Sequence, residues 1–195
     1  TFTIQSNVPT IASVKPYTAL ELQGRDLYIR EGCVNCHSQT IRPFRSETSR
    51  YGEYSKAGEF IYDRPFLWGS KRTGPDLHRI GGKYPHKWHF DHMMDPTITS
   101  PGSIMPAYPW LIDQELDNSS LVAKMEAMKT LGVPYTDAEV QGALQDLEAQ
   151  AQAIAQDLAN NQVEVKSDRE IIAMIAYLQR LGTDIKANNS TDNNK

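Results

Sequence analysis

The chain has 195 residues, of which 39% are hydrophobic and 23% are charged. This composition is ordinary for a globular protein that has one compact domain and an appendage. No stretch approaches the roughly 18 consecutive apolar residues of a membrane-spanning helix, and no signal peptide is visible. We therefore expect no transmembrane segment within this sequence.

The net charge of −4 conceals an uneven distribution. Residues 40 to 90 hold ten Lys and Arg against five Asp and Glu, whereas residues 113 to 164 hold two against ten. The two segments present opposite fields, which can steer a partner or simply form a solvated surface. Because the basic residues are dispersed and the pI is near 5.7, the charge pattern does not support nucleic-acid binding.

The N-terminal part predicts an extended segment followed by a helix. Residues 1–16 are polar and contain prolines, which indicates a lead-in or linker. Thr18 and Glu21 have the spacing of a capping box, so a helix is expected to begin here and to end at Gly32. This helix would deliver the chain directly to Cys33.

Cys33, Cys36 and His37 have the spacing required for covalent attachment of haem. Each thiol can add to one haem vinyl group, and the adjacent imidazole can then bind the iron as its proximal ligand. The two cysteines are the only ones in the chain. A Cys₃ or Cys₄ zinc or iron–sulfur site is thereby excluded.

Two other chemistries use the same thiols. A redox CxxC pair is typical of a thioredoxin-like βαβ context, whereas this pair follows a predicted helix. A zinc site remains an alternative, although its ligands would lack the short, regular spacings of structural zinc sites. Its ligands would be the two cysteines and two of His78, His86, His89 and His92.

Residues 38–73 show no sustained periodicity, and we expect a long irregular loop. A loop of this length in a compact domain favours a functional or partner-covered surface. Covering the haem edge is an equally good role for its aromatic residues. These are Phe44, Tyr51, Tyr54, Phe60, Tyr62, Phe66 and Trp68.

A short helix is predicted from Pro85 to Asp95, with Pro96 ending it. A haem iron with His37 on one side needs a second ligand or an open site on the other. Met105 is one candidate, because it lies in a proline-stiffened loop that can present a thioether. The residues alone leave the competitors open, which are His89, His92, Met93 and Met94.

Residues 119–160 predict a helical hairpin inserted into the domain. Thr136 and Glu139 form a capping box at the start of its second helix. That helix has an apolar seam at heptad spacing, formed by Val140, Leu144, Leu147, Ala151, Ile154 and Leu158. We expect the hairpin to pack on itself and, as an alternative, on a partner subunit.

A last amphipathic helix is expected after a capping pattern that begins at Ser167 and to end near Gly182. It can cross the first helix closely, with Gly24 admitting a large residue such as Tyr177. Residues 183–195 are polar and are predicted to be disordered.

The order of these motifs resembles class I cytochrome c domains. The resemblance rests on the haem motif, residues 74–77, Trp88, Asp95-Pro96, Met105-Pro106 and the terminal helix. It implies a mostly α fold over residues 17–182 with one covalently bound haem c. It also implies Met105 as the distal iron ligand, a hydrogen bond from His37 to the Pro75 carbonyl, and packing of Leu77 on the haem. Trp88 and His92 share one face of the predicted helix from Pro85 to Asp95, so we expect them to lie along the haem edge.

Longer strings are more specific. Residues 15–20, 24–33, 35–39, 41–45, 68–77 and 105–111 resemble the mono-haem subunit of cbb3-type cytochrome c oxidases, called subunit O or FixO. The resemblance implies a non-catalytic electron-transfer subunit at the periplasmic face of the bacterial inner membrane. Its partners would be the catalytic haem–copper subunit, a multi-haem cytochrome c subunit and a donor cytochrome c.

The family normally carries an N-terminal membrane helix, which is missing here, so we expect an upstream helix or a fused subunit. A basic cluster is predicted to dock the catalytic subunit or neutralise haem propionates: Arg42, Arg45, Arg50, Lys71 and Arg72. The alternative functions are a freestanding periplasmic cytochrome c and a haem enzyme or gas sensor with an open sixth site.

Overall fold

The structure is a computed structural model that describes residues 10–185. This part of the chain contains eight helices, and its only β-type pairing is an isolated bridge between Glu115 and Arg169. The prediction of a mostly α fold is therefore confirmed. The helices are α1 (Ala19–Arg30), α2 (Arg45–Tyr51), α3 (His86–Met94), α4 (Pro96–Thr99), α5 (Trp110–Asp113), α6 (Leu121–Thr130), α7 (Asp137–Asn160) and α8 (Glu170–Arg180).

Helix α1 begins with the predicted capping box. The backbone N–H of Glu21 donates to Thr18 Oγ1 at 3.3 Å, and the backbone N–H of Thr18 donates to Glu21 Oε2 at 2.8 Å. The helix is followed by Gly32, whose φ of +73° lies in the left-handed region that glycine favours. The chain turns there and enters a 3₁₀ turn at Cys33–Asn35.

The most extensive helix contact joins α1 and α8. At their crossing, a Cβ atom added to Gly24 would lie 1.9 Å from the carbonyl oxygen of Ala173 and 2.8 Å from Cβ of Tyr177. Only glycine allows the two backbones to approach this closely. The predicted crossing is confirmed, and every residue of α8 from Glu170 to Leu178 is buried.

The start of α8 differs from the prediction. Its N-cap is Arg169, two residues after Ser167, and no side chain caps it. Instead, the backbone N–H of Glu170 donates to the carbonyl of Gln114 at 3.1 Å. The backbone N–H of Leu116 also donates to the carbonyl of Asp168 at 2.8 Å. A distant backbone segment therefore supplies hydrogen-bond partners at the start of α8, and the predicted side-chain cap at Ser167 does not form.

Helices α6 and α7 occupy the predicted hairpin. Helix α7 contacts α1 and α8 as well as α6, so the hairpin is packed on the rest of the domain. Leu144 is 46% exposed and does not belong to the buried seam, where Ala143 takes its place. The reason is that a helix with 3.6 residues per turn drifts away from a strict seven-residue repeat. Tyr135 fixes the turn by donating its hydroxyl hydrogen to the Tyr17 carbonyl at 2.7 Å.

The segment 38–73 is mostly irregular, but it contains α2 and a 3₁₀ turn at Ala57–Phe60. Helix α2 has only two turns, too few for apolar periodicity to predict it. Its buried Glu47 binds Arg72 at 2.8 Å and also pairs with Arg42. Local sequence patterns could not predict the pair between Glu47 and Arg72, because the two residues are far apart in the chain.

The two ends of the described chain pack together. Arg180 donates to the Lys15 carbonyl at 2.9 Å and to Asp184 at 2.6 Å, and the backbone N–H of Lys15 donates to Asp184 at 3.0 Å. Val14 and Ile185 are buried. Residues 183–185 are thus held in place, whereas the rest of the predicted tail, 186–195, and residues 1–9 lie outside the described chain.

We expect Gly24→Ala to destabilise the protein, because the new methyl group would overlap the α8 backbone. Overpacking of this kind costs about 1–3 kcal/mol, which a shift in the urea unfolding midpoint would measure. Gly142→Ala is the matched control. It lies inside α7, and its added Cβ would have only Asp146 Oδ2 nearby, at 3.9 Å. The control should stabilise the protein by about 0.5–1 kcal/mol. Equal unfolding midpoints in the two variants would contradict the close crossing.

Candidate functional site

A cavity of about 640 Å³ lies next to the C-terminal end of α1. Its size falls within the roughly 300–1,000 Å³ of small-molecule and cofactor sites. It is bounded by the 3₁₀ turn after α1, the segment 73–77, helix α3 and the loop 100–106. The predicted site residues all line it: Cys33, Cys36, His37, Pro75, Leu77, Trp88, His92 and Met105.

The two thiols lie on one turn of chain at the cavity wall. The backbone N–H of His37 donates to the Cys33 carbonyl at 2.9 Å, which closes this turn. Cys33 is buried, Cys36 is exposed, and neither forms a disulfide. Burial raises the pKa of the Cys33 thiol to about 12, and the charge of Glu31 adds to this effect. A protonated thiol is unlike the low-pKa thiolate of a redox CxxC pair.

His37 is fixed in orientation by its own backbone surroundings. Its Nδ1 lies 2.8 Å from the carbonyl oxygen of Pro75. Because a carbonyl oxygen only accepts, Nδ1 carries the proton and Nε2 keeps its lone pair. Burial lowers the pKa of His37, which favours the neutral imidazole. A neutral imidazole with one nitrogen held by a carbonyl is the usual form of a histidine metal ligand.

Gly74 forms a cradle for this imidazole. A Cβ atom at this position would lie 2.2 Å from Cε1 of His37, so only glycine leaves room for the ring. The backbone N–H of Gly74 donates to the carbonyl of Cys36 at 3.0 Å. The cradle, the oriented imidazole and the two free thiols fit a haem bound through Cys33, Cys36 and His37.

Asp76 holds the chain behind His37. Its carboxylate accepts hydrogen bonds from Ser38 Oγ at 2.5 Å, from the Thr40 N–H at 2.8 Å and from the His78 N–H at 2.8 Å. Arg72 pairs with it at 3.3 Å. The sequence analysis included Gly74 and Asp76 in a motif but did not predict their roles. Both residues contact side chains or backbone groups about 36 positions upstream.

Met105 lies in the loop between α4 and α5. The loop is tied to α3 by the backbone N–H of Tyr108, which donates to the Met93 carbonyl at 2.7 Å. The Met105 N–H donates to Ser103 Oγ at 3.2 Å. Of the competing candidates, His89, His92 and Met93 also line the cavity, whereas Met94 is not among the lining residues.

Trp88 and His92 form part of an aromatic stack along one side of the cavity. The Trp88 ring is stacked between Tyr84, at a centroid distance of 4.0 Å, and His92, at 4.7 Å. His92 Nδ1 lies 2.5 Å from the hydroxyl oxygen of Thr99. The three stacked rings form part of the cavity wall.

The histidines of the alternative zinc site have other partners. His78 Nε2 lies 2.9 Å from Glu59, and His86 Nδ1 lies 2.8 Å from Asp157. Across residues 10–185, no three His, Cys, Asp or Glu side chains converge as a metal site. The geometry therefore does not support zinc bound by Cys33, Cys36 and two of these histidines.

Most aromatic side chains of the 38–73 segment lie away from the cavity. Of the seven named above, only Tyr51 lines it. Phe60 is buried, whereas Phe44, Tyr54 and Trp68 are exposed at 57%, 43% and 37%. Six of the seven aromatic side chains therefore do not cover the cavity.

The five residues of the predicted basic cluster have three different environments. Arg72 is held by Glu47 and Asp76, so it stabilises the segment behind His37. Arg50 is exposed and lines the cavity. Arg42, Arg45 and Lys71 are exposed, and the Arg42 guanidinium lies 5.6 Å from the centre of the Phe44 ring.

Comparison with protein families gives one match. The family described as cytochrome c oxidase, mono-heme subunit/FixO, matches residues 1–185. Comparison with curated proteins gives no match. Among residues 10–185, none of the helices combines the length and apolarity needed to cross a bilayer.

We expect Gly74→Ala to displace the His37 imidazole, because the added methyl group would overlap Cε1. The hydrogen bond to Pro75 would break, and the yield of low-spin haem protein would fall roughly tenfold or more, as for other groups that orient metal ligands. Absorption spectra of the purified variant would measure this yield. Gly142→Ala serves again as control, and a Gly74→Ala variant with its full yield would contradict the cradle.

Proposed function

Since the chain belongs to the FixO family of mono-haem cytochrome c oxidase subunits, we propose that it relays single electrons toward the oxygen-reducing subunit of a cbb3-type oxidase. The proposal rests above all on one observation. Two thiols, an oriented imidazole and a distant methionine line the same cavity, although Met105 is far from Cys33 and His37 in sequence.

We assign the residues as follows. Cys33 and Cys36 would attach one haem c through thioether bonds, and His37 and Met105 would bind its iron. His37 is supported by its hydrogen bond to Pro75, which leaves Nε2 free to bind a metal. Met105 is supported by its place on a loop tied to α3 and facing the same cavity.

The bound haem would supply a one-electron couple between ferrous and ferric iron. The residues around it keep the couple reversible. His37 is held by Pro75 and Gly74, and the Met105 loop is held by α3, so both ligands are pre-positioned. Leu77 packs with the core and Trp88 stacks at the cavity wall, which limits water near the iron. A thioether ligand and burial both favour ferrous iron, so the reduction potential should be positive.

The family supports a proposal for the location and partners of the chain. A mono-haem subunit of cytochrome c oxidase works beside other oxidase subunits. We propose that electrons arrive from a multi-haem cytochrome c subunit or a donor cytochrome c and leave toward the catalytic haem–copper subunit. The domain would lie at the periplasmic face of the inner membrane, held by an upstream helix or a fused subunit.

We propose that exposed aromatic and basic side chains contact the other oxidase subunits, and we call them together the cationic–aromatic surface: Phe44, Tyr54, Trp68, Arg45 and Lys71. Its three aromatic side chains are exposed, and Trp68 is stacked on Phe66 at 4.6 Å. Aromatic and cationic side chains together are typical of protein interfaces, where charge guides encounter and rings supply contact area.

Met105→Ala should remove the sulfur-to-iron charge-transfer band of the oxidised protein and lower the reduction potential. It should also open the sixth site to rapid carbon monoxide binding. Absorption spectra and redox titration would measure these changes. Met94→Ala is the control, because Met94 is on α3 but does not line the cavity. An intact band in Met105→Ala, with loss of the band in Met93→Ala, would identify Met93 as the ligand instead.

Arg45→Glu combined with Lys71→Glu should weaken assembly with the other subunits roughly tenfold at low ionic strength, with a smaller effect in high salt. Co-purification from solubilised membranes would measure assembly. Lys166→Glu is an exposed control outside this surface. Unchanged assembly, potential and turnover in the double variant would contradict the proposed contact.

A further inference from the structure

The loop that carries Met105 also exposes apolar side chains. Residues 100–106 line the cavity, and Ile104 among them is 82% exposed, so it lies at the cavity mouth. Ile98 in α4 and Trp110 in α5 are 64% and 39% exposed, and neither lines the cavity. Single exposed apolar side chains are ordinary on a protein surface. Three of them on one short segment beside a cofactor-sized cavity favour an interaction site.

This segment is tied to two helices. The backbone N–H of Tyr108 donates to the Met93 carbonyl of α3 at 2.7 Å. The indole N–H of Trp110 donates to Oε2 of Glu31, directly after α1, at 3.1 Å. The rings of Tyr108 and Trp110 lie edge to face, with their centres 5.3 Å apart. A partner that binds here has little backbone to order, which reduces the entropy cost of binding.

The charges of this part of the chain have one sign. From residue 88 to residue 123 the sequence has no Lys or Arg and five carboxylates: Asp91, Asp95, Asp113, Glu115 and Asp117. Asp91 is paired with a lysine at 2.7 Å, and Glu115 with an arginine at 3.3 Å. Asp95 and Asp113 are exposed and form no ion pair among the described residues.

Cations from other segments do not neutralise these two carboxylates. Arg30 and Arg169 both contact the chain after α5, but Arg30 is paired with two glutamates and Arg169 with Glu115. The exposed cations that line the cavity, Arg50 and Lys83, belong to other parts of the chain. The segment from residue 95 to residue 113 therefore presents apolar side chains together with unpaired negative charge.

We call five residues of this segment the acidic–apolar surface: Asp95, Ile98, Ile104, Trp110 and Asp113. We propose that this surface docks the redox protein that donates electrons to the chain, and that the donor presents an apolar centre with a basic rim. The inference rests on the proposed function, because it requires haem iron beside the Met105 loop. One electron passes from the ferrous iron of the donor to the ferric iron of this chain, and no bond or proton is exchanged.

Position and charge both support this assignment. Electron transfer slows steeply as the distance between redox centres grows, so a donor reacts fastest when it docks on the loop that carries an iron ligand. Unpaired carboxylates attract a basic rim at long range and raise the encounter rate, while the apolar centre supplies contact area. The cationic–aromatic surface has the opposite sign, so the donor and the other oxidase subunits would not compete for one contact.

The test uses the matured holoprotein and, as the probe, a zinc-substituted cytochrome c of basic pI. The laser-excited triplet state of the zinc porphyrin passes one electron to ferric haem, so its decay measures the rate constant for electron transfer between the proteins. Asp95→Asn combined with Asp113→Asn removes both charges, and asparagine can still cap α4. The matched control is Asp146→Asn combined with Glu148→Gln, which removes two exposed charges from α7.

We expect the Asp95 and Asp113 double variant to lower the second-order rate constant roughly threefold to tenfold at low ionic strength, and less in high salt. The control should keep the wild-type value. Ile98→Ser should lower the rate constant at both ionic strengths, because it removes apolar contact area. Leu144→Ser, which changes an exposed side chain of α7, should not. A zinc-substituted cytochrome c of acidic pI should react more slowly with the wild type than the basic one does.

Amide NMR spectra of the reduced holoprotein locate the contact independently. Adding the basic zinc cytochrome should shift the signals of residues 95–113 and leave those of the cationic–aromatic surface unchanged. These spectra use the wild-type chain, so they decide the question even if a variant does not fold.

The inference would be overturned by equal rate constants in the double variant and its control, or by a faster reaction with the acidic probe. NMR shifts confined to other residues would also contradict it. A holoprotein that dimerises through residues 95–113 would assign this surface to a second copy of the chain and would overturn it as well. Failure of the proposed function is distinguishable, because a chain that binds no haem when matured under competent conditions is colourless.

Discussion

The close crossing of α1 and α8 at Gly24 is the constraint on which the other parts of the structure depend. Because the backbones approach until a single methyl group would overlap Ala173, the C-terminal end of α1 has one allowed position on α8. Gly32 then turns the chain, and Cys33, Cys36 and His37 emerge at the wall of the cavity. The position of these three residues therefore depends on a contact between helices at opposite ends of the sequence.

Polar contacts behind the cavity complete this arrangement. Asp76 gathers Ser38, Thr40 and the His78 backbone, and Arg72 links it to Glu47 of α2. These groups are buried or half-buried, so their hydrogen bonds are strong and costly to leave unmade. These hydrogen bonds hold segment 73–77 next to the imidazole of His37. The irregular chain after the haem motif is thus well packed, and it keeps a separate, exposed aromatic face.

Local signals predicted much of the fold. The capping boxes of α1 and α7 and the prolines around α3 were sufficient, because a cap depends on residues only three positions apart. The features that the sequence did not predict depend on contacts between residues that are far apart in the chain. The start of α8 is set by the backbone near Gln114, α2 by Arg72, and the position of Leu144 by the drift of a straight helix against its neighbours. Residues 183–185 follow the same rule, since they are held by Lys15 and Arg180.

The sequence by itself identified the candidate haem-binding residues, because the spacing of two thiols and an imidazole within five residues can be recognised without tertiary information. It left several methionines and histidines as open candidates for the second iron ligand, and the resemblance to a family favoured Met105. The tertiary structure decided which of these side chains line the cavity: His89, His92, Met93 and Met105 do, whereas Met94 is not among the lining residues. Such facts depend on packing between distant segments, where burial and hydrogen-bond partners are set by the whole fold and not by neighbours in the chain.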